Sequence, residues 1–158
     1  MFGCEDLVNR LISDDLNGRL LGVLMIDQLN RVLLIDDDEV TNIMHRRVIE
    51  KMRPALEVNV ATDGNAALDL LEGYIAEDSS FPDLIVLDVN MPGMGGFEFL
   101  DEYVVRGMGT SGKRIILMLS SSVQEAQKER AMANPNVHSV VDKLMSPENF
   151  LELVDEFI

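Results

Sequence analysis

Short aliphatic runs alternate with amphipathic segments five times from residue 31 onward, and this alternation constrains the fold more than any other feature. The strand-like runs are Arg31–Ile35, Glu57–Val60, Asp83–Leu87, Arg114–Leu119 and Val137–Val141. The helical segments are Val40–Met52, Asn65–Ala76, Phe97–Gly107, Val123–Ala133 and Pro147–Ile158. Because such units are joined by right-handed crossovers, the pattern predicts an α/β fold, a doubly wound parallel sheet with helices on both faces.

Local signals mark the ends of the helical segments. Pro54 follows the first helix, Asp63-Gly64 precedes the second, and Ser146-Pro147 is typical of an N-cap followed by proline at the first helical position. Within the first helix, apolar residues spaced by four predict a stripe that faces the core. This stripe consists of Val40, Met44, Val48 and Met52.

Composition limits the class of protein. The 158 residues suffice for one ordinary domain, and an apolar content of 47% predicts a packed core. A net charge of −15 argues against direct DNA binding, because phosphate contacts need Lys and Arg. No segment approaches the roughly 18 apolar residues of a membrane span. The single cysteine, Cys4, cannot form an internal disulfide, so we expect a cytoplasmic protein.

Residues 1–30 lie outside the alternation and are expected to form an N-terminal extension, partly helical or flexible, to a domain at 31–158. Asn17-Gly18 is a strong turn signal within this segment. We expect either an appended helix that packs on the domain or on a neighbour, or a tail. The alternative is an upstream extension that precedes a natural start at Met25. A helix is expected here because four apolar residues have helical spacing: Val8, Ile12, Leu16 and Leu20.

Two of the strand-like runs end in carboxylates. Asp36 and Asp37 follow the first run, and Asp88 follows the third. Ligands bind at the carboxyl ends of the strands in open α/β sheets, so these acids are predicted to share one pocket. Gathered carboxylates repel one another unless a cation joins them, and Mg²⁺ prefers oxygen ligands. The alternative, that the acids cap and charge the first helix, is preferred for Asp38 and Glu39.

Polar groups also follow the last two strand-like runs. The fourth run leads into Ser120, and the fifth leads into Lys143. Taken alone, serines after a strand are common in turns and helix caps, and a lysine there is usually solvated. Combined with the acids, they predict one pocket that contains carboxylates, a hydroxyl group and an amine.

These motifs resemble the receiver domain of two-component response regulators, in particular single-domain receivers of the chemotaxis-regulator type. The resemblance covers residues 31–158 and implies a flavodoxin-like fold with five parallel strands in the order 2-1-3-4-5. It rests on four segments in this order and spacing: Leu34-Ile35-Asp36-Asp37-Asp38, Asp88-Val89-Asn90-Met91-Pro92-Gly93-Met94-Gly95-Gly96-Phe97, Ser120-Ser121 and Lys143.

The resemblance implies a phosphoacceptor and a metal site. Asp88 would accept a phosphoryl group from a phosphohistidine of a sensor histidine kinase or a histidine phosphotransfer protein, giving an aspartyl phosphate. Asp37 would bind Mg²⁺ directly, and Asp36 would bind it mainly through water. Asp88 itself and the backbone carbonyl of Asn90 would complete the protein's ligands to the metal.

The resemblance also implies how the phosphoryl group would be recognised. Lys143 would pair with one phosphoryl oxygen, and the Ser120 hydroxyl would swing in to donate to another. This switch would alter a protein-binding surface. The resemblance specifies no downstream protein target and is compatible with a homodimer.

Two positions depart from the family pattern. Receivers usually have a proline after the lysine, joined by a cis bond, whereas Leu144 follows Lys143 here. A cis bond without proline costs about 2.5–4 kcal/mol, so we predict a trans bond and a somewhat displaced Lys143 amine. Receivers often have an aromatic ring at the position of Val140 that rotates inward on activation. Val140 has no ring, so a switch is expected to act through Ser120, the loop after it and the fourth helix.

The leading hypothesis is a stand-alone receiver, because the fifth helix runs to Ile158 and leaves no room for an effector domain. Such a protein is not an enzyme beyond its own phosphorylation and autodephosphorylation. One alternative is a degenerate receiver that serves only as a binding platform. Val140 and Leu144 keep this alternative open, but it is disfavoured by the intact site residues Asp36, Asp37, Asp88, Ser120 and Lys143. Another is a Mg²⁺-dependent phosphohydrolase, which normally has an acid two residues after its nucleophile. Asn90 occupies that position and disfavours this class.

Overall fold

A five-stranded parallel sheet forms the centre of the protein. The computed structural model describes residues 28–77, 81–110, 115–120, 122, 124–143 and 145–155, with the backbone alone at 110, 115–120 and 155. All neighbouring strands are parallel, in the order β2-β1-β3-β4-β5, which confirms the flavodoxin-like topology. The strands are β1 (Arg31–Ile35), β2 (Glu57–Ala61), β3 (Leu84–Asp88), β4 (Ile115–Ser120) and β5 (Val137–Asp142).

Within the described residues, five α-helices cover both faces of this sheet. They are α1 (Glu39–Met52), α2 (Gly64–Ala76), α3 (Gly96–Val105), α4 (Glu125–Met132) and α5 (Pro147–Asp155). Helices α2, α3 and α4 contribute to one hydrophobic core, and α1 and α5 contribute to the other. Each predicted strand and helix is present, although α4 begins at Glu125 instead of Val123 and α3 ends at Val105 instead of Gly107.

The two cores explain why the central strands are continuous aliphatic runs. In β1, Leu33 and Ile35 pack into the core under α2 and α3, while Val32 and Leu34 pack into the core under α1 and α5. Every one of these side chains is fully buried, and β3 follows the same pattern. Because helices cover both faces of such a parallel strand, neither face is exposed to solvent and no polar residues alternate with the aliphatic ones.

Helix starts follow the local signals in the sequence. The Asp38 side chain accepts from the Val40 N–H at 2.9 Å and so caps α1. Asp63 caps α2 by accepting from the Ala66 N–H at 2.8 Å. The Ser146 hydroxyl accepts from the Asn149 N–H at 3.1 Å, as its place before Pro147 predicts. Such caps satisfy N–H groups that have no partner within the helix.

Half of the predicted buried stripe of α1 is wrong: Val48 and Met52 pack against the core under α1 and α5, but Val40 and Met44 are exposed. Val40 and Met44 are 63% and 50% exposed, and the buried residues of the helix are Asn42, His45 and Ile49. The helix is turned in this way because Asn42 and His45 hydrogen-bond backbone carbonyls beneath it. Hydrogen bonding therefore overrides the apolar spacing as the determinant of the inner face.

Three predictions fall wholly or partly outside the described residues. They are the structure of the N-terminal extension as far as residue 27, the geometry of the bond between Lys143 and Leu144, and the continuation of α5 to Ile158. Within the described parts of the chain, no helix is both long enough and apolar enough to cross a membrane.

Candidate functional site

Two neighbouring strands bring aspartates to the same edge of the sheet. Strands β1 and β3 pair in parallel with Ile35 opposite Leu87, so Asp36 and Asp88 are adjacent where these strands end. The two residues are only 2% and 1% exposed. Removing two carboxylates from water is costly unless opposite charge and hydrogen bonds compensate. We therefore expect cationic partners next to these two carboxylates.

Asp37 brings a third carboxylate to this position from the solvent side. Ligand oxygens of Asp36, Asp37 and Asp88 all lie within 4.8 Å of one another. Asp37 is exposed, whereas the other two are buried. The acidic pocket that the sequence predicts is thus assembled, with one side open to water.

Lys143 lies directly against the two buried carboxylates. It follows the last residue of β5, and its Nζ is 3.0 Å from Asp88 Oδ2 and 3.2 Å from Asp36 Oδ2. The ammonium group thus reaches both buried carboxylates although no proline follows Lys143. Its displacement relative to receivers that have this proline stays a prediction. Residues 36, 88 and 143, which are far apart in the sequence, form one compact charged cluster.

Backbone N–H groups orient both buried carboxylates. The Asp38 N–H donates to Asp36 Oδ1 at 2.8 Å, and the Asn90 N–H donates to Asp88 Oδ1 at 3.2 Å. In each case the donor lies two residues after the acceptor, as in an Asx-turn. One oxygen of Asp88 is thereby fixed by the backbone, while the other faces Lys143.

The charges of the cluster act on one another. Burial raises the pKa of Asp36, and the negative charge of Asp88 adds to this effect, while the Asp38 N–H and Lys143 partly offset it. Burial by itself lowers the pKa of Lys143, but hydrogen bonds to Asp88 and Asp36 outweigh it and the pKa is raised. Lys143 is therefore held as an ammonium ion, since its charged form is the one that the carboxylates stabilise.

Comparison with known proteins identifies the family. A model of the response regulator receiver domain matches residues 32–155, which is most of the chain. The chain belongs to the response regulator receiver domain family. It is thereby placed among the proteins of two-component systems, and the receiver that the sequence motifs predict is confirmed.

Individual relatives agree with this assignment. The nitrate/nitrite response regulator protein NarL of Escherichia coli K12 is 33% identical over 94 residues, or 60% of this chain. A two-component response regulator from Cytophaga hutchinsonii superimposes with a TM-score of 0.73, 31% identity and coverage of 79% of this chain and 93% of that one. The chemotaxis protein CheY4 of Vibrio cholerae has a TM-score of 0.65 and 28% identity, with 82% and 99% covered. The chain spans only 40% of the length of NarL.

The remaining predicted site residues of this receiver lie in or just after strands β3, β4 and β5. Ser120 is the last residue of β4 and pairs with Asp142 of β5, one residue before Lys143; only its backbone is described. Val140 is half-buried in β5 and packs against the core under α2 and α3. Asn90 is exposed and contributes its N–H to Asp88.

The receiver's acidic cluster suits a magnesium ion. The buried Asp36 Oδ2 accepts no hydrogen bond from the described residues, although it lies 3.2 Å from the Lys143 ammonium. Three carboxylates supply hard oxygen donors, and the exposed position of Asp37 leaves room for the waters that Mg²⁺ retains. The donor set therefore fits Mg²⁺ better than a soft transition metal, which would favour thiolate or imidazole.

Gly96 allows α3 to start directly against the receiver's buried aspartate. Its N–H donates to the carbonyl of Val89 at 3.0 Å. A Cβ at this position would lie 2.6 Å from the Asp88 carbonyl oxygen and 2.9 Å from Val89 Cα. Both neighbours are backbone atoms that cannot rotate away, so only glycine fits without moving Asp88.

Sequence reasoning misses two residues that support the receiver site, Asn42 and His45. Asn42 Nδ2 donates to the backbone carbonyl of Asp36 at 2.7 Å, and His45 Nε2 lies 2.9 Å from the carbonyl of Lys143. The signal in the sequence is a polar, polar, apolar series at Asn42, His45 and Ile49, with the spacing of one helix face. A prediction from hydrophobicity alone does not identify this face of the helix as the buried one.

Proposed function

We propose that this receiver accepts a phosphoryl group on Asp88 from a phosphohistidine of a sensor histidine kinase or a histidine phosphotransfer protein. The observation that carries the proposal is the environment of the Asp88 carboxylate, which is buried beside Asp36 with the Lys143 ammonium 3.0 Å from its Oδ2. A buried carboxylate with a fixed orientation and an adjacent cation is suited to attack a phosphorus atom and to tolerate the charge that arrives with it.

The bonds and electrons of the transfer step balance between the phosphohistidine donor and Asp88. An Asp88 carboxylate oxygen forms a bond to phosphorus as the bond from phosphorus to the donor's imidazole nitrogen breaks. The imidazole leaves with the electron pair of that bond. The product on Asp88 is an acyl phosphate, which water can later hydrolyse to regenerate the carboxylate.

Residues around Asp88 position the reacting group and balance its charge. The Asn90 N–H holds Asp88 Oδ1, so the carboxylate does not rotate freely. The Lys143 ammonium gives up its contact with Asp88 and pairs with an oxygen of the incoming phosphoryl group. Ser120 is the last residue of the adjacent strand β4. In this proposal its hydroxyl would donate to another phosphoryl oxygen.

Asp36, Asp37, Asp88 and the backbone carbonyl of Asn90 would hold Mg²⁺. When bound, the ion neutralises charge on the phosphoryl oxygens and helps align them with the attacking carboxylate. Neutralisation of the charge on these carboxylates would also remove the repulsion between them. Phosphorylation in this proposal therefore depends on Mg²⁺.

The phosphorylated receiver signals by presenting a changed surface to a protein partner. A phosphoryl group adds a dianion with strong acceptor oxygens to the carboxyl edge of the sheet. Engagement of Ser120 would draw the end of β4 and the loop before α4 toward Asp88, and this changes the surface that a partner contacts. Val140 has no ring to move, so the β4–α4 segment carries the switch.

Intact-mass spectrometry after incubation with Mg²⁺ and phosphoramidate tests the proposal. We expect one phosphoryl group on the wild type, and none on Asp88→Asn or on wild type treated with a metal chelator. Absence of an adduct in the wild type would favour a receiver that acts only as a binding platform. Continuous hydrolysis of a small phosphate ester would favour a phosphohydrolase. Either result would overturn the phosphoacceptor assignment.

A further inference from the structure

The inner face of α1 is polar where an ordinary surface helix is apolar. Asn42 and His45 are 4% and 3% exposed, and Ile49 continues the same face one turn later. Burying a carboxamide and an imidazole is unfavourable unless hydrogen bonds replace the lost water. The apolar Val40 and Met44 point outward instead. Because polar residues are buried and apolar residues are exposed on the same helix, we expect the buried polar groups to have a specific structural role.

Both polar groups contact backbone carbonyls of residues in the charged cluster. Asn42 Nδ2 donates to the carbonyl of Asp36 at 2.7 Å, which fixes α1 relative to the end of β1. His45 lies one turn later, with its Nε2 2.9 Å from the carbonyl of Lys143, 98 residues away in the sequence. Helix α1 thereby connects the backbone of one acid of the cluster with the backbone of its lysine.

The backbone of Lys143 needs such support. Strand β5 ends at Asp142, so Lys143 is the first residue after the strand. A lysine side chain has four rotatable bonds, and its Nζ can stay 3.0 Å from Asp88 Oδ2 only if its backbone is held in place. The His45 bond acts on the carbonyl group of this same residue.

We infer that His45 is a positioning residue for Lys143: its Nε2–H holds the Lys143 carbonyl, so that the ammonium faces Asp88. A carbonyl oxygen can only accept, so the bond requires the proton on Nε2. A neutral ring then has an unprotonated Nδ1, and burial, which lowers the pKa of His45, favours this neutral form. The inference rests on the proposed function of Lys143, and it assigns no contact between His45 and the phosphoryl group.

Three variants separate positioning from general stabilisation. His45→Leu removes the donor but keeps an apolar side chain of similar size, whereas His45→Gln places an amide N–H at a similar reach. Ile49→Val is the matched control, because it loosens the packing of the same helix face without touching the Lys143 carbonyl. For each we would measure the rate constant of phosphorylation by phosphoramidate at saturating Mg²⁺, and the Mg²⁺ dissociation constant.

We expect His45→Leu to slow phosphorylation by about 10- to 100-fold, the loss typical of a misplaced group at a reacting centre. Its Mg²⁺ affinity should not weaken, because the ligands are untouched and the competing ammonium has moved away. His45→Gln and Ile49→Val should stay within about threefold of wild type. Three results would overturn the inference: a wild-type rate for His45→Leu, a weaker Mg²⁺ affinity of this variant, or a His45→Gln variant as slow as His45→Leu.

A nitrogen-detected NMR measurement of the His45 tautomer in the wild type tests the inference without phosphorylation. We expect a protonated Nε2 and an unprotonated Nδ1 at pH values above the ordinary histidine pKa of 6.5. The opposite tautomer would exclude the bond and overturn the inference, even if His45→Leu does not fold. A wild type that takes up no phosphoryl group but shows the expected tautomer would instead refute the proposed function.

Discussion

At the scale of single residues, Lys143 shares one positive charge between two buried carboxylates. Replacing it by methionine keeps the length of the side chain and removes the charge. Without metal, Asp36 and Asp88 then lie side by side with no cation to offset their repulsion. A carboxylate pair left without its cation is destabilising because neither charge has been returned to water.

We therefore expect Lys143→Met to lower the free energy of unfolding by about 1–3 kcal/mol in a chelator. Mg²⁺ should restore more stability to this variant than to the wild type, because the ion replaces the missing charge. Urea titrations with and without Mg²⁺ measure both quantities. Lys128→Met, at an exposed position on α4, is the control and should change stability by less than about 0.5 kcal/mol. Equal Mg²⁺ stabilisation of wild type and Lys143→Met would contradict this prediction.

His45 links the stability of the receiver to pH. Burial lowers its pKa, and the Lys143 carbonyl and the charge of Asp36 only partly offset this. As the pH falls through 6.5, the histidine of the unfolded chain takes up a proton while His45 of the folded chain stays neutral. The contribution of His45 to the free energy of unfolding is therefore complete above pH 6.5 and is lost as the pH falls below it.

The difference in unfolding free energy between wild type and His45→Gln should therefore narrow as the pH falls from about 7.5 to about 5.5. Carboxylate titrations are common to both proteins and cancel in the comparison. Urea denaturation at a series of pH values gives the difference directly. A gap that stays constant or widens over this range would show that the histidine is not kept neutral by folding.

At the scale of secondary-structure elements, the orientation of α1 can be tested by its two faces. Met44 lies on the outer face, and Ile49 is fully buried on the inner one. Met44→Gln should change the free energy of unfolding by less than about 0.5 kcal/mol. Ile49→Ala should cost about 2–5 kcal/mol, since it leaves a cavity beneath the helix. Comparable losses for the two variants, measured by chemical denaturation, would mean that the helix is rotated from the position described.

The contact between α3 and the end of β3 depends on Gly96. A methyl group there meets the Asp88 carbonyl oxygen, so we expect Gly96→Ala to cost about 1–3 kcal/mol and to slow phosphorylation by displacing Asp88. Gly73→Ala is the control, because a Cβ at that position in α2 has no neighbour within 4 Å. It should stabilise the protein by about 0.5–1 kcal/mol, as alanine favours a helix interior. A Gly96→Ala variant whose free energy of unfolding and phosphorylation rate equal those of the wild type would contradict the packing argument.

At the scale of the whole molecule, the sheet and its acidic edge could be predicted from the sequence. Continuous aliphatic runs specify strands buried on both faces, and a polar residue at the end of such a run is carried to the carboxyl edge by the strand itself. Asp36 and Asp88 could therefore be placed from local pattern, and their adjacency follows from the pairing of β1 with β3. Lys143 could be assigned to the same pocket because it follows the fifth strand-like run. Its direct contacts with both acids, 107 and 55 residues away in the sequence, are known only from the structure.

The inner face of α1 could not be predicted from hydrophobicity. Its orientation is decided by two hydrogen bonds to backbone carbonyls, those of Asp36 and Lys143, and a sequence shows no sign of where a backbone carbonyl will lie. Val40 and Met44 have the spacing of a buried stripe but are left outside. Tertiary hydrogen bonding to the site, and not helix periodicity, thus decides how this element packs.

The most direct test of Asp88 as the phosphoacceptor is to locate the modified residue chemically. Borohydride reduces an acyl phosphate of aspartate to homoserine, which peptide mass spectrometry assigns to a position. After treatment with Mg²⁺ and phosphoramidate, we expect homoserine at position 88 in the wild type and at no position in Asp88→Asn. Homoserine at position 36 or 37, or an unreduced phosphoryl group retained elsewhere, would contradict the assignment of Asp88.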